Sequence, residues 1–212
     1  MSILKPTISS SSKSSPLGGG GGLVIINYGA GNIQSIKFAI QRLGYEAVLS
    51  NDIAEIKAAD KVIFPGVGEA SSAMTKLRES GLDKIIPELK QPVLGICLGM
   101  QLMCNSSEEG FTKGLGIFDV DVVRFSNQVK VPQIGWNKIE QLKSDLFTGV
   151  AEDYIYLVHS YYAPVCMETI ATCCYELEYS AALQKNNFYG TQFHPEKSSD
   201  VGAKILGNFL KM

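Results

Sequence analysis

Cys97 stands in Gly95-Ile96-Cys97-Leu98-Gly99, a nucleophile with a glycine two residues to either side. That pattern marks a sharp turn from strand to helix, which lifts a side chain above the end of a sheet where a substrate can reach it. The start of the following helix favours negative charge on the sulfur. The backbone N–H of Leu98 would point at an oxyanion formed beside it. A cysteine nucleophile needs a base, and the chain holds two histidines, His159 and His194. His194 lies in Gln192-Phe193-His194-Pro195-Glu196, where Pro195 ends a strand and a carboxylate follows two residues on. In an extended segment, positions i and i+2 share a face, so Glu196 can accept a hydrogen bond from the imidazole. Cys97, His194 and Glu196 therefore have the types and spacing of a nucleophile, its base and the acid that orients the base. Each motif alone has a plainer reading, a buried thiol at a tight junction or an ordinary turn. Together they favour catalysis.

The other candidates are weaker. His159, in Val158-His159-Ser160-Tyr161, reads as a hydrogen-bonded histidine at a strand end. Two histidines and scattered cysteines give no ligand spacing, so neither a metal nor a cofactor is expected. Glycines in Pro65-Gly66-Val67-Gly68 let backbone approach a ligand closely or flip a peptide, or else make only a tight turn. Gly29-Ala30-Gly31 lacks the further glycine of a dinucleotide-binding turn.

The elements that must position these residues are legible in outline. Leu23–Ile26, Ala47–Leu49, Val62–Phe64 and Pro92–Ile96 are short continuous apolar runs, as strands covered on both faces require. Between them, Ile33, Ile36, Ile40 and Leu43 recur at helical spacing up to Gly44. A helix is predicted over Glu69–Arg78 and a short one ending near Leu89. Strands alternating with helices imply a parallel sheet with right-handed crossovers. Beyond Cys97 the pattern becomes a series of shorter strands: Val120–Arg124, Lys138–Glu140, Tyr154–Val158, Ile170–Cys174 and Ala181–Leu183. A helix over Gly202–Lys211 closes the chain.

The chain has 212 residues, of which 45% are hydrophobic and 19% charged, with a formal net charge of −2. That suits one sizeable domain, which we place at 23–212. Residues 1–22 are rich in serine and glycine and read as a flexible tail or an expression remnant. No basic stripe suggests a nucleic-acid partner, and no apolar run approaches the about 20 residues of a membrane span. Five cysteines without C-x-x-C spacing, after a start with no apolar leader, read as reduced thiols of a cytoplasmic protein.

Gly-Ile-Cys-Leu-Gly-Met-Gln at 95–101 with the distant Phe-His-Pro-Glu at 193–196 resembles the class I, or triad, glutamine amidotransferases. Asn27-Tyr28-Gly29-Ala30-Gly31-Asn32, Pro65-Gly66-Val67-Gly68, Pro132-Gln133-Ile134-Gly135-Trp136-Asn137 and His194-Pro195-Glu196-Lys197 narrow the resemblance to the glutaminase subunits of imidazole glycerol phosphate synthases. The resemblance implies a flavodoxin-like α/β fold, with a mostly parallel central sheet flanked by helices and an added smaller antiparallel portion. It implies that Cys97, His194 and Glu196 are the triad and that the N–H groups of Val67 and Leu98 form the oxyanion hole. Gly66, Gln101, Glu109, Ser160 and Tyr161 match substrate-binding positions. Asn32, Trp136, Tyr156, His159 and Lys197 match positions at or near a partner interface. The implied partner is a cyclase subunit with a (β/α)8 barrel, forming a heterodimer. Ammonia from glutamine would pass to it to make imidazole glycerol phosphate and aminoimidazole carboxamide ribotide in histidine biosynthesis. Service to another ammonia-dependent synthase, or stand-alone γ-glutamyl cysteine hydrolase activity, remains open on the residues themselves.

Overall fold

A computed structural model describes residues 22–29 and 32–212. The tail at 1–22 therefore lies outside the described residues except for Gly22, as do Ala30 and Gly31 of the first glycine turn. The four apolar runs form parallel strands: β1 (Leu23–Ile26), β2 (Ala47–Ser50), β3 (Lys61–Gly66) and β4 (Val93–Cys97). Their neighbours pair in parallel in the order β2-β1-β3-β4. The helices between them are α1 (Ile33–Arg42), α2 (Ile53–Ala58), α3 (Ala70–Glu79) and α4 (Leu82–Ile85). A five-residue α5 (Leu98–Leu102) follows β4 directly.

Why the runs are apolar throughout is plain from the packing. Leu23, Ile25, Ile63, Leu94 and Ile96 face one core with Ile36 and Ile40 of α1. Val24, Ile26, Val62, Phe64 and Val93 face a second core with Met74 and Leu77 of α3. Alternate residues of β1, β3 and β4 thus bury on opposite faces, whereas β2, at the edge of the sheet, exposes Val48 and Leu49.

The second half is larger and more continuous than a small addition. Its strands are β5 (Cys104–Ser107), β6 (Thr112–Lys113), β7 (Phe118–Arg124), β8 (Gln133–Glu140), β9 (Tyr154–His159), β10 (Tyr161–Tyr162), β11 (Thr169–Cys174), β12 (Glu178–Lys185) and β13 (Phe188–Thr191). β13 joins β4 in parallel, and β12, β11, β8 and β9 continue the same sheet antiparallel to nine strands. β10, β7, β5 and β6 make a separate four-stranded sheet. The closing helix α6 (Ser199–Lys211) packs Ile205, Leu206 and Phe209 into the first core. Among the described residues, no helix is long and apolar enough to cross a membrane.

Candidate active site

The turn between β4 and α5 is as sharp as the glycine spacing predicts. Cys97 adopts φ 55° and ψ −112°, in the left-handed half of the map that side chains avoid. The flanking glycines are demanded by contact. A methyl group on Gly99 would lie 2.0 Å from the Phe64 carbonyl oxygen, and one on Gly95 would lie 2.9 Å from the Gly99 carbonyl carbon. Strand β3 can therefore press against the start of α5 only because Gly99 carries no side chain, and α5 can fold back over β4 only because Gly95 carries none. The same closeness sets Gly66, the last residue of β3, in register with Cys97. Val67 follows at once, so backbone from two adjacent strand ends meets beside the sulfur. Tyr28, buried at the end of β1, donates its hydroxyl to the Pro65 carbonyl at 2.9 Å and pins this corner.

His194 comes from the segment after β13. The strand ends at Thr191, two residues earlier than the pattern suggests, and Pro195–Lys197 form a single 3-10 turn. The expected pairing forms all the same, by a different geometry. His194 Nδ1 lies 2.9 Å from Glu196 Oε1 because the turn, rather than an extended strand, folds the carboxylate under the ring. Both side chains are buried, and Glu196 Oε2 has no partner among the described residues. The backbone is clamped from β9: the His194 N–H donates to the Tyr156 carbonyl at 3.0 Å, and Ser198 Oγ donates to the His194 carbonyl at 2.7 Å.

Burial works against a charge on His194. The Cys97 sulfur and the Glu196 carboxylate outweigh it, and the pKa of the imidazole is pushed up to about 10. With Nδ1 committed to Glu196, Nε2 is the nitrogen left to exchange a proton with the sulfur. In this resting arrangement the thiol itself contacts the Val158 carbonyl at 3.9 Å and the Gln192 side-chain amide at 3.8 Å.

A cavity of about 360 Å³ opens over the sulfur. It brings together Val67, Cys97, Leu98, Gln101, Glu109, Ser160, Tyr161 and His194 from five separate stretches of chain. Gly66 and Glu196 support it from behind. Glu109 sits on a 3-10 turn at the rim, where its carboxylate accepts the Ala70 N–H at 2.8 Å. Burial holds this carboxyl above the usual range; the Ala70 N–H opposes the shift and the Glu69 charge adds to it. Of the residues placed at an interface, Asn32, His159 and Lys197 also line the cavity, whereas Trp136 and Tyr156 do not. Trp136 is 53% exposed on β8 and meets the Tyr156 ring edge-on at 5.9 Å, with Lys197 Nζ 6.0 Å above that ring. His159 differs from these surface groups: it is 6% exposed, with Nδ1 2.8 Å from the Tyr161 carbonyl. Sequence reasoning missed Gln192, Pro132 and Val158. Gln192 carried a signal, standing in the same five-residue motif as the base.

The family model described as glutamine amidotransferase class-I matches residues 24–212. The chain belongs to this family. Among curated members, the imidazole glycerol phosphate synthase subunit HisH of Bacteroides fragilis is 58% identical over 194 residues, covering 90% of this chain and 99% of that protein. The HisH of Yersinia pestis is 45% identical over 194 residues, with the same coverage. Among solved structures, one described as a glutamine amidotransferase superposes with a TM-score of 0.70 at 18% identity, covering 90% of this chain and 98% of that one. The structure of PurLQS from Thermotoga maritima gives a TM-score of 0.67 at 16% identity, covering 89% and 97%. At such identities these structures speak for the fold alone. In this class I glutamine amidotransferase, the flavodoxin-like sheet therefore carries the site at the carboxyl ends of β3, β4 and β13, where open α/β sheets bind their ligands.

Proposed function

We propose that this chain is the glutaminase subunit of an imidazole glycerol phosphate synthase, releasing ammonia from glutamine for a cyclase subunit with a (β/α)8 barrel. The observation that carries the chemistry is the buried row of Cys97, His194 and Glu196 beneath one cavity. Relatives named HisH, identical at more than half of the aligned positions, support the acceptor.

The reaction runs in two halves. His194 Nε2 holds the Cys97 proton, and the sulfur attacks the side-chain amide carbon of glutamine. The oxyanion lies between the N–H groups of Leu98 and Val67. His194 returns the proton to the leaving nitrogen, and ammonia departs from a thioester. Water, losing a proton to the same imidazole, attacks the thioester carbon; glutamate leaves and the thiol is restored. Glu196 keeps the ring in one orientation through both halves. Gln101, Glu109 and the backbone of Ser160 and Tyr161 hold the substrate's amino-acid end.

Val67 is the natural control point. Gly68 beside it has φ +95°, a backbone conformation that glycine adopts without strain, which suits a peptide with more than one orientation. An oxyanion hole short of one donor costs about 10²–10³ in turnover. A partner that favours the donating orientation would switch hydrolysis on and keep ammonia from being wasted. Asn32 and Lys197 line the cavity, and Lys197 leads through the Tyr156 ring to the exposed Trp136, the side where such a partner would seat.

Glutamate release is the deciding assay, run with and without the cyclase subunit and its nucleotide substrate, with Cys97→Ala as blank. Release that depends on the liganded partner is expected. Full release by the isolated chain would overturn the control by Val67. Silence with the partner present would overturn the choice of acceptor.

A further inference from the structure

Gln192 is wholly buried between the base motif and the nucleophile, and hydrogen-bond logic leaves its side chain a single orientation. The Tyr161 carbonyl can only accept. The Gln101 atom 2.9 Å from it is therefore the amide nitrogen Nε2. Its second hydrogen points to a Gln192 atom at 2.8 Å, which must in turn be the oxygen Oε1. The remaining Gln192 nitrogen then faces Cys97 Sγ at 3.8 Å and can only donate. The far end of the row is anchored as well. His159 also donates Nδ1–H to the Tyr161 carbonyl, at 2.8 Å, so this oxygen is held from two sides.

We infer that Gln192 is a positioning residue of the nucleophile: its amide N–H, locked by Gln101 and Tyr161, holds the Cys97 sulfur and favours its anionic form. A donor aimed at a buried charge is stronger than one between neutral groups. The row also links two tasks. Gln101 lines the cavity floor, so the residue that meets glutamine is the one that orients the amide behind the sulfur. This role goes beyond the triad and rests on the glutaminase reading only for its consequence in turnover.

The test is the pH profile of Cys97 alkylation by iodoacetamide in the free full-length chain, read on the Cys97 peptide by mass spectrometry. Gln192→Leu is expected to move the midpoint up by about one pH unit, equivalent to a tenfold loss of reactivity below it. Gln192→Glu, which sets a negative charge against the sulfur, should move it further. Gln101→Leu, which frees Gln192 to rotate, should move it in the same direction by less. In the coupled glutaminase assay, Gln192→Leu should lower kcat at least tenfold with little change in KM. An unchanged profile in a Gln192→Leu chain with native circular dichroism overturns the inference. If that variant does not fold, the near-isosteric Gln192→Glu decides: a shifted midpoint supports the role and an unshifted one overturns it. Alkylation needs neither glutamine nor a partner, so a failed acceptor assignment would leave this result standing.

Discussion

The parallel half of the sheet and the antiparallel half divide the work. β3, β4 and β13 deliver Val67, Cys97 and the His194 turn from strand ends buried on both faces. β8 and β9, joined by β10 of the smaller sheet, supply the opposite cavity wall, Val158 to Tyr161, and an outer face where Ile134, Trp136 and Tyr154 are exposed. One half packs tightly around the backbone that carries Cys97 and His194; the other leaves large apolar side chains open. The contrast teaches that rigidity is placed where a fraction of an ångström matters, and open apolar surface where a partner can cover it.

The sharpest way to break this contrast is to disturb the parallel half. Glu196→Gln keeps the shape under His194 but replaces an acceptor with a group that can donate. The imidazole then loses its fixed tautomer, and turnover with the partner is expected to fall by about 10³–10⁴-fold while the melting temperature stays within a few degrees. A loss below tenfold would mean that the 3-10 turn alone orients the ring. Gly99→Ala attacks the packing. Its methyl would lie 2.0 Å from the Phe64 carbonyl, so β3 and α5 must part. We expect about 1–3 kcal/mol of lost stability by urea unfolding, together with a loss of activity larger than the stability change explains.

The same contrast governs what the sequence discloses. The parallel strands are legible because burial on two faces forces unbroken runs such as Leu23–Ile26 and Val93–Ile96. β8 reads Gln-Ile-Gly-Trp-Asn-Lys-Ile-Glu, with one face in the core and the other outside, and only its last three residues stand out as a strand. Cys104–Ser107 and Tyr161–Tyr162 are held as strands by cross-strand pairing rather than by their own composition. α2 was legible in principle, since Asp52 caps it by accepting the Glu55 N–H at 2.9 Å, but its six residues show too little periodicity. At the site, Cys97, His194 and Glu196 are visible because chemistry restricts their types. Gln192 is marked only by standing in the base's motif; that its amide meets the sulfur is known only from its neighbours in space.

The two histidines sharpen the comparison through pH. His194, tied to the parallel half, has its folded pKa raised to about 10. The native state therefore holds more protons than the unfolded chain between pH about 6.5 and about 10, and this stabilisation is full below that window and fades as pH rises through it. His159, in the antiparallel half, is shifted the other way. Burial first, with a smaller contribution from the His194 charge, lowers it to about 4 against the pull of the Tyr161 carbonyl. Between pH about 6.5 and about 4 the unfolded chain takes up the proton that the native state refuses, so stability falls on acidification, by about 3 kcal/mol at most. Urea unfolding as a function of pH should flatten on the acid side in His159→Gln and on the alkaline side in His194→Gln. An acid limb unchanged by His159→Gln would show that other groups carry it.

The smallest effect on the molecule itself is expected on the outer face. Trp136 is half exposed, and its one aromatic neighbour among the described residues, Tyr156, is part of the same surface. Trp136→Ala removes little that was buried, so urea unfolding should change by less than about 1 kcal/mol. An exposed tryptophan that anchors an interface is worth about 2 kcal/mol or more to the complex, and the Kd for the cyclase subunit should rise about 30-fold or more by titration calorimetry. The two readings separate the halves cleanly. If Trp136→Ala unfolds the chain, the outer face is core after all and the division of work fails. If it leaves both stability and Kd unchanged, the partner seats elsewhere, and the charged rim formed by Lys197 and Glu109 becomes the next surface to cut.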